Sequence, residues 1–107
     1  MFHHVLFMNY KRGDRSAMHR RMKNFCRAVV KTQPGAVSCY YGPNVAEKYS
    51  APHLGKGIAK GFTHVFVGVF KTRKDYDYYM ESDIHVALGP HFEKAGKDYV
   101  ICDYTTR

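Results

Sequence analysis

Four segments of the chain alternate side chains in the two-residue rhythm of β-strands, and each carries apolar residues at both the odd and the even positions. These segments are residues 2–10, Ala36–Tyr41, Phe62–Phe70 and Asp98–Tyr104. Successive side chains of a strand point to opposite faces of its sheet. The pattern therefore predicts four strands that are apolar on both faces.

Between the strands, apolar residues recur at helical spacing. One stripe of methionine, phenylalanine, cysteine and valine side chains runs from Ser16 to Lys31, and the helix ends at Pro34. A shorter helix follows Thr72–Asp75, which approximates a capping box, and another helical turn starts at Ser82-Asp83. Tyr76 and Tyr79 are expected to point inward from the shorter helix, and residues 42–61 form a long loop.

The predicted order is β-α-β-β-α-β, the split arrangement of α+β proteins with a ferredoxin-like fold. It gives one four-stranded antiparallel sheet, with the first and third strands in the centre and the helices on one face. The helices leave the other apolar face uncovered, and a second copy of the same sheet would cover it. The prediction is a homodimeric α+β barrel in which residues 1–107 form a single domain.

The composition is consistent with this fold and indicates where in the cell the protein is expected. The chain has 107 residues, of which 45% are hydrophobic, and a formal net charge of +8. No apolar run is long enough to cross a bilayer, so no membrane partner is predicted. The three cysteines have no close spacing, which favours a reducing, cytoplasmic location over a disulfide scaffold.

The candidate chemistry lies in histidine, tyrosine and aspartate. His4 and His64 fall on the two central strands and are expected to be cross-strand neighbours, with Tyr79 and His85 closing a cleft over them and Asp103 entering from the last strand. Imidazole titrates near neutral pH, so His85 is the candidate general acid or base. Tyr79 is the candidate hydrogen-bond donor to a carbonyl oxygen.

Three further residues complete this hypothesis. Asp103 is expected to fix the tautomer of a histidine, and Ile101 and Phe66 are expected to line the pocket. The alternative is that the polar residues are buried groups that satisfy one another between the sheet and the helices.

Several short motifs occur in an order that resembles the stress-responsive A/B barrel domain (Dabb) family over nearly the whole chain. They are His4, Pro34–Val37, Gly61–His64, Tyr79 with Ile84–Val86, and Cys102–Thr105. The resemblance implies a dimeric ferredoxin-like barrel. It extends to a plant branch whose members close polyketide chains by an aldol condensation without a cofactor. That branch uses a Tyr-x5-His motif, which corresponds here to Tyr79 and His85.

Other functions remain as alternatives. The spacing of histidines and cysteines matches no zinc motif, so neither a metal nor another cofactor is predicted. The basic first helix, with loop lysines Lys48, Lys56 and Lys60, would suit an anion- or RNA-binding module, although nucleic acid is the less favoured partner. The remaining possibility is a stress-associated barrel without catalysis. The leading hypothesis is a pocket for a small, partly apolar carbonyl compound.

Overall fold

The computed structural model describes every residue from Met1 to Arg107 and contains four strands, six α-helices and one short 3-10 helix, Arg12–Asp14. Their bounds are β1 Phe2–Tyr10, α1 Arg15–Thr32, β2 Ala36–Pro43, α2 Ala46–Tyr49, α3 Ala51–Leu54, β3 His64–Phe70, α4 Arg73–Glu81, α5 Asp83–Val86, α6 Gly89–Ala95 and β4 Gly96–Thr105. β3 begins two residues later than predicted. The carbonyl of Phe62 accepts a hydrogen bond from the Asn44 side chain instead of from a neighbouring strand. Phe62 therefore belongs to the loop.

The strands form one antiparallel sheet in the order β2-β3-β1-β4. β1 and β3 lie in the centre, as the split β-α-β-β-α-β arrangement requires. The prediction of a ferredoxin-like α+β fold is confirmed. A tight turn leads from α1 into β2, where Gly35 has a φ of 72° and a side chain would collide with Asp75.

The hydrophobic core lies between the sheet and the helices. The even positions of β1 are buried, from His4 to Tyr10, as are the even positions of β3 and the apolar stripe of α1. The largest fully buried side chains are Met8, Tyr10, Met22, Val29, Phe66, Phe70 and Tyr79. Burying aromatic side chains of this size contributes about 2 to 3 kcal/mol each to folding.

The opposite face of the sheet is apolar and has no helix over it. Val5, Phe7 and the valines of β3 are only half-buried there, and Tyr40 and Tyr104 are 72% and 52% exposed at its two edges. Cys102 also lies exposed on this face, opposite Val5. An isolated chain thus presents an apolar surface of the kind that protein interfaces cover.

The long loop between β2 and β3 is folded rather than irregular. It contains α2 and α3, and the carboxylate of Glu47 accepts hydrogen bonds of 3.0 Å from the backbone N–H groups of both Gly57 and Ala59. These bonds lower the pKa of Glu47. At the end of the loop, Phe62 packs against Phe7 on the open face of the sheet. None of the helices combines the length and the apolar character needed to cross a membrane.

Candidate functional site

The corner between α4 and α5 sets the relative positions of Tyr79 and His85. Thr72 caps α4 by accepting a hydrogen bond from the N–H of Asp75, so the approximate capping box is formed. At the other end of α4, the Ser82 hydroxyl donates to the carbonyl of Tyr79 at 2.6 Å. The Ser82 hydroxyl oxygen also accepts a hydrogen bond from the N–H of His85 at 3.4 Å, and α5 starts there. Ser82 therefore ties the two candidate residues together through their backbones.

The His85 ring is held in one tautomer. Its Nδ1 lies 3.0 Å from the carbonyl oxygen of Met80, and a carbonyl can only accept. The neutral ring therefore carries its proton on Nδ1, and the lone pair of Nε2 has no hydrogen-bond partner. Burial lowers the pKa of His85 below its usual 6.5; the nearby His4 also lowers it, and the bond to Met80 opposes the shift. The ring is thus a neutral base at physiological pH.

Tyr79 lies beside this imidazole at the bottom of the site. The two ring centres are 5.0 Å apart, and the Tyr79 ring also packs 4.9 Å from that of Phe70. Tyr79 is 2% exposed, and its hydroxyl makes no hydrogen bond within the chain. Burial raises the pKa of Tyr79 well above its ordinary value, so the hydroxyl keeps its proton and can act as a donor.

His4 and Asp103 form the second half of the arrangement. They face each other on β1 and β4, and the Nδ1 of His4 donates to a carboxylate oxygen of Asp103 at 2.6 Å. His4 is 3% exposed, so this bond satisfies a buried donor. The prediction that Asp103 fixes a histidine tautomer is met by this geometry, with His4 as the histidine.

Tyr76 also belongs to this site. The sequence predicted that its side chain points inward but did not identify it as a site residue. Its ring centre lies 5.0 Å from that of His4, and the ring stacks on Phe2 at 4.3 Å. Burial raises its pKa, and so does the negative charge of Asp103. Tyr76 lies three residues before Tyr79, so both rings are on one face of α4. This spacing could have predicted that Tyr76 belongs to the site. We call His4, Tyr76, Tyr79, His85 and Asp103 the His85 cluster.

The expectation that His4 and His64 are cross-strand neighbours is wrong. His4 pairs with Gly68, and His64 pairs with Met8, so the two histidines are four positions apart along the sheet. At the usual rise of a strand, this separates them by roughly 13 Å. A slip of four residues leaves every side chain on the same face, so the alternating pattern fixes the face of each histidine without fixing the register.

His64 belongs instead to an aromatic group at the other end of the sheet. Its ring stacks almost parallel on Tyr41, with 5.4 Å between ring centres, and lies near Tyr10 and His19. Its Nδ1 bonds only to the adjacent Thr63 hydroxyl. Burial lowers the pKa of His64, and the charges of His19 and Arg15 lower it further. We call Tyr10, His19, Tyr41 and His64 the His64 cluster.

The two apolar residues predicted to line the pocket have different surroundings. Phe66 is 1% exposed and presents its ring edge-on to His4 at 6.0 Å, as part of the core. Ile101 lies on the helix-facing side of β4, opposite Leu6, but is 56% exposed because no helix covers this edge strand. Val86, next to His85, is 62% exposed. Val86 and Ile101 are both exposed and are close in sequence to members of the cluster, His85 and Asp103.

Aromatic rings pack against one another in the predicted hollow beneath the helices. Four cavities of about 360 to 520 Å³ lie elsewhere, and none of them is lined by His4, Tyr79 or His85. The space is occupied by stacked aromatic rings, Phe2, Phe70 and Tyr76 among them. No group of three or more histidine, cysteine or acidic side chains is arranged to hold a metal ion. The residues of the cluster can transfer protons and can donate or accept hydrogen bonds.

The family model of the stress-responsive A/B barrel domain (Dabb) matches residues 2–106. The chain belongs to this family. None of the curated protein sequences matches it significantly. The fold and the order of its motifs thus agree with the family resemblance noted from the sequence.

Solved structures with the same fold have low sequence identity to this Dabb chain. The protein At3g17210 from Arabidopsis thaliana superimposes with a TM-score of 0.78 at 18% identity, covering 100% of this chain and 96% of its own. A hydroxynitrile lyase from Passiflora edulis gives 0.76 and 18%, covering 99% and 93%. A dimeric ferredoxin-like protein from Bacteroides fragilis gives 0.75 and 13%, covering 98% and 95%. At these identities the likeness establishes the fold.

Proposed function

We propose that this Dabb domain binds a small, partly apolar carbonyl compound at the His85 cluster and promotes cofactor-free acid–base chemistry on it. The observation that carries the proposal is the pairing of His85 and Tyr79. One residue offers an imidazole lone pair and its neighbour offers a hydroxyl, and neither atom has a hydrogen-bond partner within the chain. Neither atom is among the fully buried unpaired polar atoms of the chain, so a ligand could reach both.

The proposed step is removal of a proton from the carbon next to the carbonyl group. The Nε2 of His85 takes the proton, and the electron pair of the C–H bond moves to form an enolate. Tyr79 donates a hydrogen bond to the enolate oxygen, where negative charge develops. His85 then returns the proton to the carbon. Alternatively, the enolate carbon attacks a second carbonyl of the same molecule in an aldol ring closure, and the resulting alkoxide takes the proton from His85. Such donors and bases each contribute on the order of 100-fold to rate.

His4 and Asp103 support this geometry from beneath. The carboxylate holds the His4 ring in place at 2.6 Å, and the His4 ring centre lies 6.4 Å from that of Tyr79. Because His4 and Tyr79 are buried, the ligand would approach over the exposed edge formed by Val86 and Ile101. The apolar side chains at this edge would contact the hydrocarbon part of the ligand.

One structural neighbour is named a hydroxynitrile lyase, and others are named antibiotic biosynthesis monooxygenases. The first of these names is consistent with lyase-type chemistry on this fold. The resemblance of Tyr79 and His85 to the Tyr-x5-His motif favours polyketide-cyclase-like ring closure as the specific reaction. The substrate would then be a linear chain that carries several keto groups.

We also propose that the chain works as a homodimer through the open face of its sheet. This face is apolar, and two of the neighbouring structures are described as dimeric. Light scattering coupled to gel filtration at micromolar concentration should give twice the chain mass of 12.4 kDa. A particle of single-chain mass would contradict the dimer.

The function is tested with two probes. Benzoylacetone should raise the melting temperature of the protein in a concentration-dependent way, because a ligand that binds only the folded state stabilises it. Phenylacetone in deuterium oxide should exchange its acidic C–H protons faster in the presence of the protein, as followed by proton NMR. His85→Gln and Tyr79→Phe should each slow this catalysed exchange by roughly 100-fold.

Matched variants provide the controls. His53→Gln changes an exposed histidine of α3, and Tyr78→Phe removes the hydroxyl of the exposed neighbour of Tyr79. Both should leave the exchange rate unchanged. If neither probe responds to the protein, or if the paired variants behave alike, the proposal is wrong. The stress-associated barrel without catalysis then becomes the better account.

A further inference from the structure

A cavity between α1 and β2 has a charge pattern that the His85 cluster does not use. Its volume is about 470 Å³, within the range of sites for small organic ligands. Three cations line it, Lys23, Arg27 and Lys31, each four residues after the last. This spacing places them along one side of the helix over roughly 12 Å.

These cations have no acidic partners. The chain contains two ion pairs, His4 with Asp103 and Arg73 with Asp77, and neither involves the cavity. No aspartate or glutamate occurs in α1 or among the residues that line the cavity. The only side-chain hydrogen bond made by these three cations is a long one of 3.4 Å from Arg27 to Asn24. The positive charge of this site is therefore uncompensated within the protein.

The rest of the cavity is apolar. Its floor is made by the thiols of Cys26 and Cys39, which are buried. Val30 and Tyr40 form its rim and are 48% and 72% exposed, while Tyr41 completes the lining. Exposed apolar side chains beside a concave surface are typical of a place where a ligand covers them.

We propose that this cavity binds an amphipathic organic monoanion: a carboxylate with an aliphatic or aromatic body. The carboxylate would lie against the row of Lys23, Arg27 and Lys31, where an arginine can form two parallel hydrogen bonds with it. The hydrocarbon body would lie over Cys26 and Cys39 and against Val30. The inference is independent of the proposed carbonyl chemistry, because the cavity shares no residue with the His85 cluster.

A single basic pocket favours a small anion over nucleic acid. Nucleic-acid binding would use cations spread along a groove, with several exposed aromatic rings on which bases stack. Here the three cations line one concave site of about 470 Å³, and only one strongly exposed ring, Tyr40, lies beside it. A carboxylate of modest length meets both the charge and the apolar surface.

The test uses octanoate and its uncharged methyl ester, with binding followed by backbone amide NMR. Octanoate should shift the amide signals of residues 23–31 and 39–41 saturably, and methyl octanoate should bind at least tenfold more weakly. Arg27→Gln should weaken octanoate binding about tenfold through loss of a charge-assisted hydrogen bond. Raising the salt concentration should weaken it as well.

Arg20→Gln is the matched control, because it removes the same charge from an exposed position of α1 outside the cavity. It should leave octanoate affinity within twofold of the original. Val30→Glu, which places a negative charge on the exposed rim, should abolish binding while the spectrum of the folded protein persists.

The inference is overturned if the ester binds as tightly as octanoate, or if Arg20→Gln and Arg27→Gln have equal effects. Shifts that do not saturate would also overturn it. A single-stranded oligonucleotide that binds through Arg20 and Arg27 alike would assign α1 to nucleic acid instead. The result does not depend on the phenylacetone assay, so the two proposals can fail separately.

Discussion

The two histidine clusters lie on the same side of the same sheet, yet they are built differently. In the His85 cluster, hydrogen bonds to Met80 and Asp103 fix the Nδ1 atoms of His85 and His4, and the Nε2 atoms are left without partners. In the His64 cluster, the imidazole stacks face to face on Tyr41 and bonds only to the adjacent Thr63. The first arrangement orients a ring for chemistry, whereas the second uses a ring to fill the core.

The surroundings of the clusters reinforce the contrast. The His85 cluster meets an open edge at Val86 and Ile101, whereas His64 is 8% exposed and closed in by Tyr10 and His19. Burial lowers the pKa of both His64 and His85. A shifted pKa therefore does not distinguish a working histidine from a structural one. The hydrogen-bond partners and the access to each ring make that distinction.

The largest expected difference is in stability. His64→Ala should lower the free energy of unfolding by about 3 kcal/mol, because it removes a buried ring and leaves a cavity. His85→Ala should cost about 1 kcal/mol, since the ring is half-buried and loses one hydrogen bond. Urea unfolding measures both. His64→Phe, which keeps an aromatic ring on Tyr41, should recover most of the loss. Equal costs at positions 64 and 85 would remove the distinction between the clusters.

A smaller effect is expected at the base of the His85 cluster. Asp103→Ala should lower the free energy of unfolding by about 2 kcal/mol, because it leaves the buried Nδ1 of His4 without its acceptor. Asp77→Ala is the comparison: Asp77 lies 3.7 Å from Arg73 in an exposed pair, so its loss should cost less than about 0.5 kcal/mol. If the two variants unfold at the same urea concentration, the bond between His4 and Asp103 adds no stability.

The smallest expected effect is the dependence of stability on pH. Folding lowers the pKa of His64 and His85 below 6.5, so the unfolded chain binds more protons as the solution becomes acidic. Stability should be complete above about pH 7 and should decline as the pH falls from there toward 5. Thermal melts across this window measure the decline. In His64→Phe the decline should be shallower, and an unchanged slope would mean that His64 is not protected from protonation.

Much of this architecture could be predicted from the sequence. The alternation of the strands and the helical stripe of α1 determine which side chains share a face, and the element order then determines the sheet. Tyr78 and Tyr79 illustrate this, because helical spacing alone separates the exposed ring from the buried one. The Tyr-x5-His spacing also brought Tyr79 and His85 together correctly.

The predictions that failed depend on contacts between residues that are far apart in the sequence. The register of β1 against β3 is set by packing and by the intervening loops, so the distance between His4 and His64 could not be deduced from alternation. The depth of the site could not be deduced either. Side-chain packing decides whether Phe2, Phe70 and Tyr76 leave a hollow or fill it, and composition does not determine that packing.

The protonation state of the His85 ring tests the central claim most directly. Long-range nitrogen–proton NMR correlations distinguish the two neutral tautomers of each histidine. At neutral pH the account predicts that His85 is neutral, with its proton on Nδ1 and an unprotonated Nε2, as the bond to Met80 requires. A proton on Nε2, or a fully protonated ring at this pH, would leave His85 unable to act as a base and would contradict the account.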